Sequence, residues 1–267
     1  MALSSSSLYS KNRHTIRSIS LPTRSHPSTL QVEEEIADFK TWETSISCIP
    51  DETTICCGLT SLDRLYTSVD DVLSLSLTQQ ALSHPRHQKL VDELSDRSMM
   101  LLDICGSVRD IVSHVKEHVR DVQSALRRRK EDFIMETSFL KKLMKDVKRG
   151  VADLKHIDSH TYGSKPLNLD PHLYSVIRVM RDVSELSISV FGMLLSFFSV
   201  STSKSKSASK WTNILKFIQK GTTGSKEQPR ICVEALDCNI EGIENGLECL
   251  FRKLIKTRAC ILNILSH

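Results

Sequence analysis

Apolar residues recur at helical spacing from about Gln88 to Ile157, with no proline inside that stretch. Val108, Val112, Val115, Val119, Val122 and Leu126 step by 4, 3, 4, 3, 4. That spacing lines one face of an α-helix as a heptad seam. The register runs back through Leu101 and Leu94 and forward through Phe133, Leu140, Leu143, Val147, Leu154 and Ile157. An average helix is far shorter than this signal. Arg127 to Lys130 is the expected place for any break, because Arg129 occupies a seam position there. A second seam lies near the C-terminus, where Val233, Leu236, Ile240, Ile243, Leu247, Leu250 and Leu254 step by 3, 4, 3, 4, 3, 4. Thr257 interrupts it and Ile261 resumes it. Neither stripe can be satisfied alone, so the two are expected to lie against each other.

Shorter elements flank these. Ser28-x-x-Gln31 has the form of a capping box and opens a helix to about Ser45, with Val32, Ile36, Phe39 and Trp42 on its apolar side. A second helix, about Thr54 to Leu75, presents Leu59, Leu62, Leu65, Val69 and Val72. A short helix around Thr78 to Leu82 stops at Ser83-His84-Pro85, since the residue before proline is pushed out of the α region. Thr161 to Asn168 reads as a loop. Asp170-Pro171 then starts a helix to about Val200, with Asp as N-cap and Pro in the first turn. Ser199 to Lys210 and Gly221 to Pro229 read as linkers around a brief amphipathic helix from Trp211 to Ile218. The last helix begins near Ile231. No run alternates with period 2, so the class is all-α: an elongated bundle of long antiparallel helices with coiled-coil-like packing. Residues 28 to 267 form that bundle.

Composition supports long elements, since 9 Gly and 7 Pro in 267 residues leave few turns. Of 36 Lys+Arg, Lys11, Arg13, Arg17 and Arg24 lie in residues 1 to 27, which contain no acid. The remainder carries 32 bases against 32 acids, so global charge gives no argument for nucleic acid. Residues 1 to 27 are Ser-rich, hold Pro22 and Pro27, and read as a disordered tail with no helix. A plastid or mitochondrial transit peptide has the same composition. The eight cysteines include no C-x-x-C and follow no secretory signal, which implies reduced, mostly buried thiols inside the cell.

Candidate chemistry is sparse. His114-Val115-Lys116-Glu117-His118 matches H-x-x-E-H, which places two zinc ligands and an acid on one helix. A zinc hydrolase also needs a third ligand and a substrate cleft, so this is a remote alternative. At 100° per residue, His114 and His118 flank the valine seam by roughly 80 to 120°, and Glu117 faces solvent. The pairs His84/His87 and His156/His160 read as solvated. Arg127 to Lys130 with Lys141, Lys142, Lys145, Lys148 and Arg149 gives nine bases against Glu131, Asp132, Glu136 and Asp146. That excess suits an acidic partner or an anionic lipid surface, but Phe133 and Phe139 alone interleave it, too few for base stacking. Leu186 to Val200 is the most apolar run, 15 residues against the 20 a membrane span needs. It reads as a core helix, with membrane association as the alternative. No catalytic, cofactor-binding or metal residue is assigned, and no small-molecule substrate is identified.

Several runs together carry a resemblance. Arg17-Ser18-Ile19-Ser20-Leu21-Pro22-Thr23-Arg24-Ser25-His26-Pro27 and Gly246-Leu247-Glu248-Cys249-Leu250-Phe251-Arg252-Lys253-Leu254-Ile255-Lys256-Thr257-Arg258 resemble the opening and the ending of the plant-specific BYPASS-like family. Leu77-Thr78-Gln79-Gln80-Ala81-Leu82, Leu101-Leu102-Asp103-Ile104-Cys105, Leu126-Arg127-Arg128-Arg129 and Leu194-Leu195-Ser196-Phe197 fall between them in the family's order. Gly192-Met193 stands where the family pattern has an acidic and a small residue, so no carboxylate role is carried onto that helix. The family is a domain of unknown function with no established activity or ligand. What the resemblance implies is a role in root and shoot development. The expectation is therefore a non-enzymatic helical protein, intracellular and cytoplasmic, acting through protein partners. Peripheral membrane association is the alternative.

Overall fold

A computed structural model describes residues 26–46, 50–128, 137–159, 169–199 and 227–266. Among the described residues there are seven α-helices, one 3₁₀ turn and no strand. The helices are α1 (Pro27–Ser45), α2 (Glu52–Leu73), α3 (Ser76–Leu82), α4 (Gln88–Arg127), α5 (Thr137–Ser159), α6 (Pro171–Phe198) and α7 (Glu227–Leu265), with the 3₁₀ turn at Pro85–His87. The tail reading of residues 1 to 27 falls almost wholly outside the described residues. So do the Thr161–Asn168 loop, the brief helix at Trp211–Ile218 and nearly all of both linkers.

Among the described residues, side-chain caps open three of the seven α-helices, α1, α2 and α6. The Asp170 carboxylate accepts from the backbone N–H of His172 at 3.1 Å and of Leu173 at 3.3 Å, with Pro171 first in α6. The Asp51 carboxylate accepts from Thr54 N at 2.8 Å and opens α2. The start of α1 differs from expectation. His26 is the N-cap, its Nδ1 accepting from Ser28 N at 3.3 Å, and Pro27 takes the first helical position. A proline there forfeits no hydrogen bond, since the first N–H groups have no helical partner anyway. Ser28 therefore lies inside the helix, and the capping box does not form.

The stretch from Gln88 to Ile157 is two helices, not one. α4 ends at Arg127, and α5 runs back along it. Arg97 Nη1 donates to the Ile157 carbonyl at 3.3 Å, while the His118 ring stacks on Phe139 with centroids 3.7 Å apart. Descending partners for ascending residues are the signature of an antiparallel hairpin. A straight continuation would have carried Arg129 into the buried seam, where an unpaired guanidinium is costly.

α7 covers the valine seam, as its own seam predicts. It runs antiparallel to α4, with Arg109 paired to Glu248, Lys116 to Glu244, and Arg258 donating to the Ser95 carbonyl at 2.7 Å. It also runs parallel to α2, with Asn239 donating to Glu52 at 3.1 Å and Lys253 to Thr67 at 2.8 Å. α6 lies antiparallel to α2, joined by the buried Tyr66–Ser187 hydroxyl pair at 2.9 Å. α1 lies across α2 and α6, tied by Ser68 to Glu35 and by Lys40 to Asp182 at 2.9 Å. α5 closes the far side against α4 and α6.

Burial follows the two seams. Val108, Val112, Val115, Val119 and Val122 are all buried, as are Val233, Leu236, Ile240, Ile243, Leu247, Leu250 and Leu254. Leu186, Val190, Phe191, Leu194, Leu195, Phe197 and Phe198 are each at most 3% exposed, which places the apolar run in the core. Each such side chain contributes about 1.5 to 3 kcal/mol by leaving water. Among the described residues no helix is long and apolar enough to cross a membrane. The thiols differ from expectation: of the six described, only Cys105 is buried, while Cys57, Cys238 and Cys249 are exposed. These three sit on the outer faces of α2 and α7, where helical phase keeps them off the seam.

Candidate functional site

The α4–α5 hairpin holds the candidate site, because its outer surface carries charges that its interior does not use. Between the two helices lies a cleft of about 290 Å³, lined among others by His114, Glu117, His118 and Asp121 of α4 and by Phe139 and Lys142 of α5. His114 and Glu117 are exposed, while His118 is half-buried with its ring 12° from parallel to Phe139. The three residues of the H-x-x-E-H motif thus share a cleft without converging on a point. Among the described residues no group of three or more His, Cys, Asp or Glu side chains is placed to hold a metal ion. The other histidines are used locally. His87 Nδ1 lies 2.7 Å from the Ala81 carbonyl, and His84 Nδ1 accepts from Arg86 N at 3.3 Å. His160 lies outside the described residues.

The basic segment divides. Arg127 and Arg128 are exposed at the end of α4, whereas Arg129, Lys130, Glu131, Asp132 and Glu136 lie outside the described residues. On α5, Lys141, Lys142, Lys145, Lys148 and Arg149 are all exposed and fan over roughly 120° of the helix. The opposite side of α5 buries Leu143, Val147, Leu154 and Ile157. Arg149 pairs with Asp146 at 3.0 Å. The four lysines have no carboxylate within ion-pairing distance among the described residues.

α4 carries the complement, which the sequence reading overlooked. Asp92, Asp96, Asp103, Asp110, Glu117 and Asp121 are all exposed, and Asp96, Asp103, Asp110 and Glu117 recur every seven residues. At 100° per residue the six carboxylates fall within roughly 60°. None forms an ion pair among the described residues; Asp92 accepts from Gln88 at 3.1 Å. Three bases of α4 take the other flank and are spent on α7. Arg109 pairs with Glu248 and lies 4.3 Å from the Phe251 ring centroid, Lys116 pairs with Glu244, and Arg120 sits 3.9 Å from Asp237. The signal for the acidic stripe was present as a heptad repeat of acids, but the polar side of a helix is ordinarily solvated filler.

Other perturbed groups serve the core. Thr78 Oγ1 and His172 Nε2 lie 2.9 Å apart in the packed junction of α3 with α6, and burial pushes the imidazole below its ordinary range. Burial pushes the Cys105 thiol up to about 12, so it stays protonated and weakly nucleophilic. Asp70, 2% exposed, accepts from Thr257 Oγ1 at 2.7 Å and lies 3.2 Å from the Lys256 ammonium. A Cβ on Gly192, at the position that departs from the family pattern, would meet Leu154 Cδ1 of α5 at an ordinary 3.9 Å.

Comparison with known proteins bears on the whole bundle. The family described as Protein BPS1 matches residues 58–264, from within α2 nearly to the end of α7. The match takes in the α4–α5 hairpin, while the Arg17–Pro27 run precedes it. No curated protein and no solved structure gives a significant match to the chain. On the span of the match, the chain belongs to the BPS1, or BYPASS-like, family.

Proposed function

We propose that this chain is a non-enzymatic helical protein that works inside plant cells, in the cytoplasm, through contacts with other proteins during root and shoot development. The observation that carries the reading is the charged α4–α5 surface. Among the described residues the hairpin displays carboxylates without ion-pair partners on one helix and lysines without ion-pair partners on the next, with a cleft between them. Exposed charges that a fold leaves unpaired contribute little to its stability, whereas charge complementarity across an interface governs encounter rate and partner choice. The developmental role rests on the family resemblance.

The test is affinity capture from root and shoot tissue with three baits: the intact chain, the chain without residues 1–27, and Lys141→Glu/Lys145→Glu. Partners held by the first two baits and lost from the third support the reading. Identical recoveries from all three, or turnover of a substrate by the purified chain, overturn it.

A second reading, peripheral association with anionic membranes, is favoured by the lysine fan of α5 alone. Each lysine near such a surface contributes about 1 kcal/mol. The apolar run from Leu186 no longer supports it, being buried. Complete recovery in the soluble fraction at low salt counts against it. The same fractionation separates cytoplasmic from plastid residence, the latter being the alternative that the N-terminal composition raises.

A further inference from the structure

The two stripes belong to one surface. Glu117 and Asp121 of α4 and Lys142 of α5 rim the same cleft, so the acidic side of α4 and the basic side of α5 look out in a common direction. A partner that satisfies this surface must carry acids and bases side by side. A uniformly anionic partner, whether bilayer or acidic protein, gains on the α5 half and is repelled by the α4 half. The lysine fan also offers no apolar wedge for a bilayer; Val151, 36% exposed, lies beside it and not within it.

We infer that the α4–α5 face binds the same face of a second copy of this chain, each α4 lying over the other copy's α5. A two-fold axis in the plane of the face, parallel to the helices and between them, exchanges α4 with α5 and leaves heights along the axis unchanged. Those heights follow from the hairpin itself. Arg97 is level with Ile157 and His118 with Phe139, so Glu117 stands near Lys141, Asp110 near Lys145 and Lys148, and Asp103 beyond them toward Asp153. Glu117 and Asp110 of one copy therefore meet bases of the other at matched levels, twice over, as an isologous interface requires. The 23 residues of α5 span about 35 Å. Two packed helices are about 20 Å wide, which gives each copy a contact of about 700 Å², close to the roughly 800 Å² of a standard interface.

This inference rests on the reading above, that the α4–α5 face is a contact surface, and names its occupant. The experiment is sedimentation velocity of the full chain at micromolar concentration across a salt series. At low salt the sedimenting mass is expected near twice the 30.2 kDa of one chain. It should fall toward one chain as the Debye length shrinks from about 10 Å at 0.1 M to about 3 Å at 1 M. Asp110→Lys/Glu117→Lys puts two bases into the α4 stripe opposite the lysines of the other copy; Lys141→Glu/Lys145→Glu puts two acids into the α5 fan opposite its carboxylates. Each alone is expected to weaken self-association by at least about tenfold, since like charges then oppose each other. An equimolar mixture is expected to restore the dimer, because the introduced lysines of one variant then meet the introduced glutamates of the other and the two unaltered helices meet as in the wild type. Circular dichroism checks that each variant stays helical, and the wild-type salt series stands even if one does not fold. A wild-type chain that is monomeric at low salt overturns the inference, as does a dimer indifferent to salt and to both reversals. A monomer that still captures proteins through Lys141 and Lys145 overturns the dimer while leaving the contact reading intact, and a monomer that co-sediments with phosphatidylserine vesicles through those lysines overturns both.

Discussion

Thr257 stands in a seam otherwise built from Val, Leu and Ile, and the reason lies across the bundle. Its hydroxyl donates to Asp70 at 2.7 Å, and both side chains are 2% exposed. A buried carboxylate deprived of a donor keeps its desolvation cost without the compensating bond. Thr257→Val, nearly equal in volume, is therefore expected to destabilise the fold by about 1 to 3 kcal/mol in urea denaturation. An unchanged midpoint would show that Lys256 and solvent suffice. His172 makes a second prediction. Burial depresses its folded pKa, with Asp170 opposing and His26 adding to the shift, so the unfolded chain binds the proton more readily. Stability then falls as pH drops through the unfolded value of about 6.5. His172→Gln is expected to remove part of the stability difference between about pH 7.5 and about pH 5.5. An equal difference in both proteins would contradict this. The sequence marked Thr257 as an interruption, but its partner lies 187 residues away, a separation that no local pattern can report.

Elements were legible where local rules act alone. Asp170-Pro171 declares a helix start because cap and proline both serve the same unsatisfied N–H groups. The seam of α7 was readable over its length because one face meets the core throughout. The reversal after Arg127 was not, because period reports which face is buried and says nothing about direction. α5 happens to continue the phase of α4, so the pattern marks a break at Arg127 to Lys130 without showing that the chain turns back there. Gly242 and Gly246 show the same limit. On propensity alone each costs about 1 kcal/mol against Ala. A Cβ on Gly246 would stand 3.0 Å from Leu59 Cδ1 and 3.2 Å from Leu59 Cβ, so this glycine lets α2 and α7 approach closely. A Cβ on Gly242 would meet Cys56 Sγ at an ordinary 3.5 Å. Gly242→Ala is therefore expected to stabilise by up to about 1 kcal/mol, and Gly246→Val to destabilise by about 1 to 3 kcal/mol. Equal shifts in thermal unfolding at the two sites would refute the packing argument.

For the whole molecule, the hairpin decides what the surface can do. Were residues 88 to 157 one rod, the acids of α4 and the lysines of α5 would lie tens of ångströms apart along it. Folded back, they form one face with both signs and a cleft between them. The basic half was visible as a charge excess after Leu126, and the acidic half as a heptad of Asp and Glu. Their adjacency was not visible, because it depends on the reversal. The decisive measurement is an intrachain distance. Spin labels on ketone side chains at positions 113 and 145 leave the eight native cysteines in place, and dilution with unlabelled chain removes distances between copies. The account predicts a short separation, set by the roughly 8 to 10 Å axis spacing of packed helices plus the label arms. A separation near 48 Å, about what 32 residues of continuous helix span, would contradict it and dissolve the charged face with it.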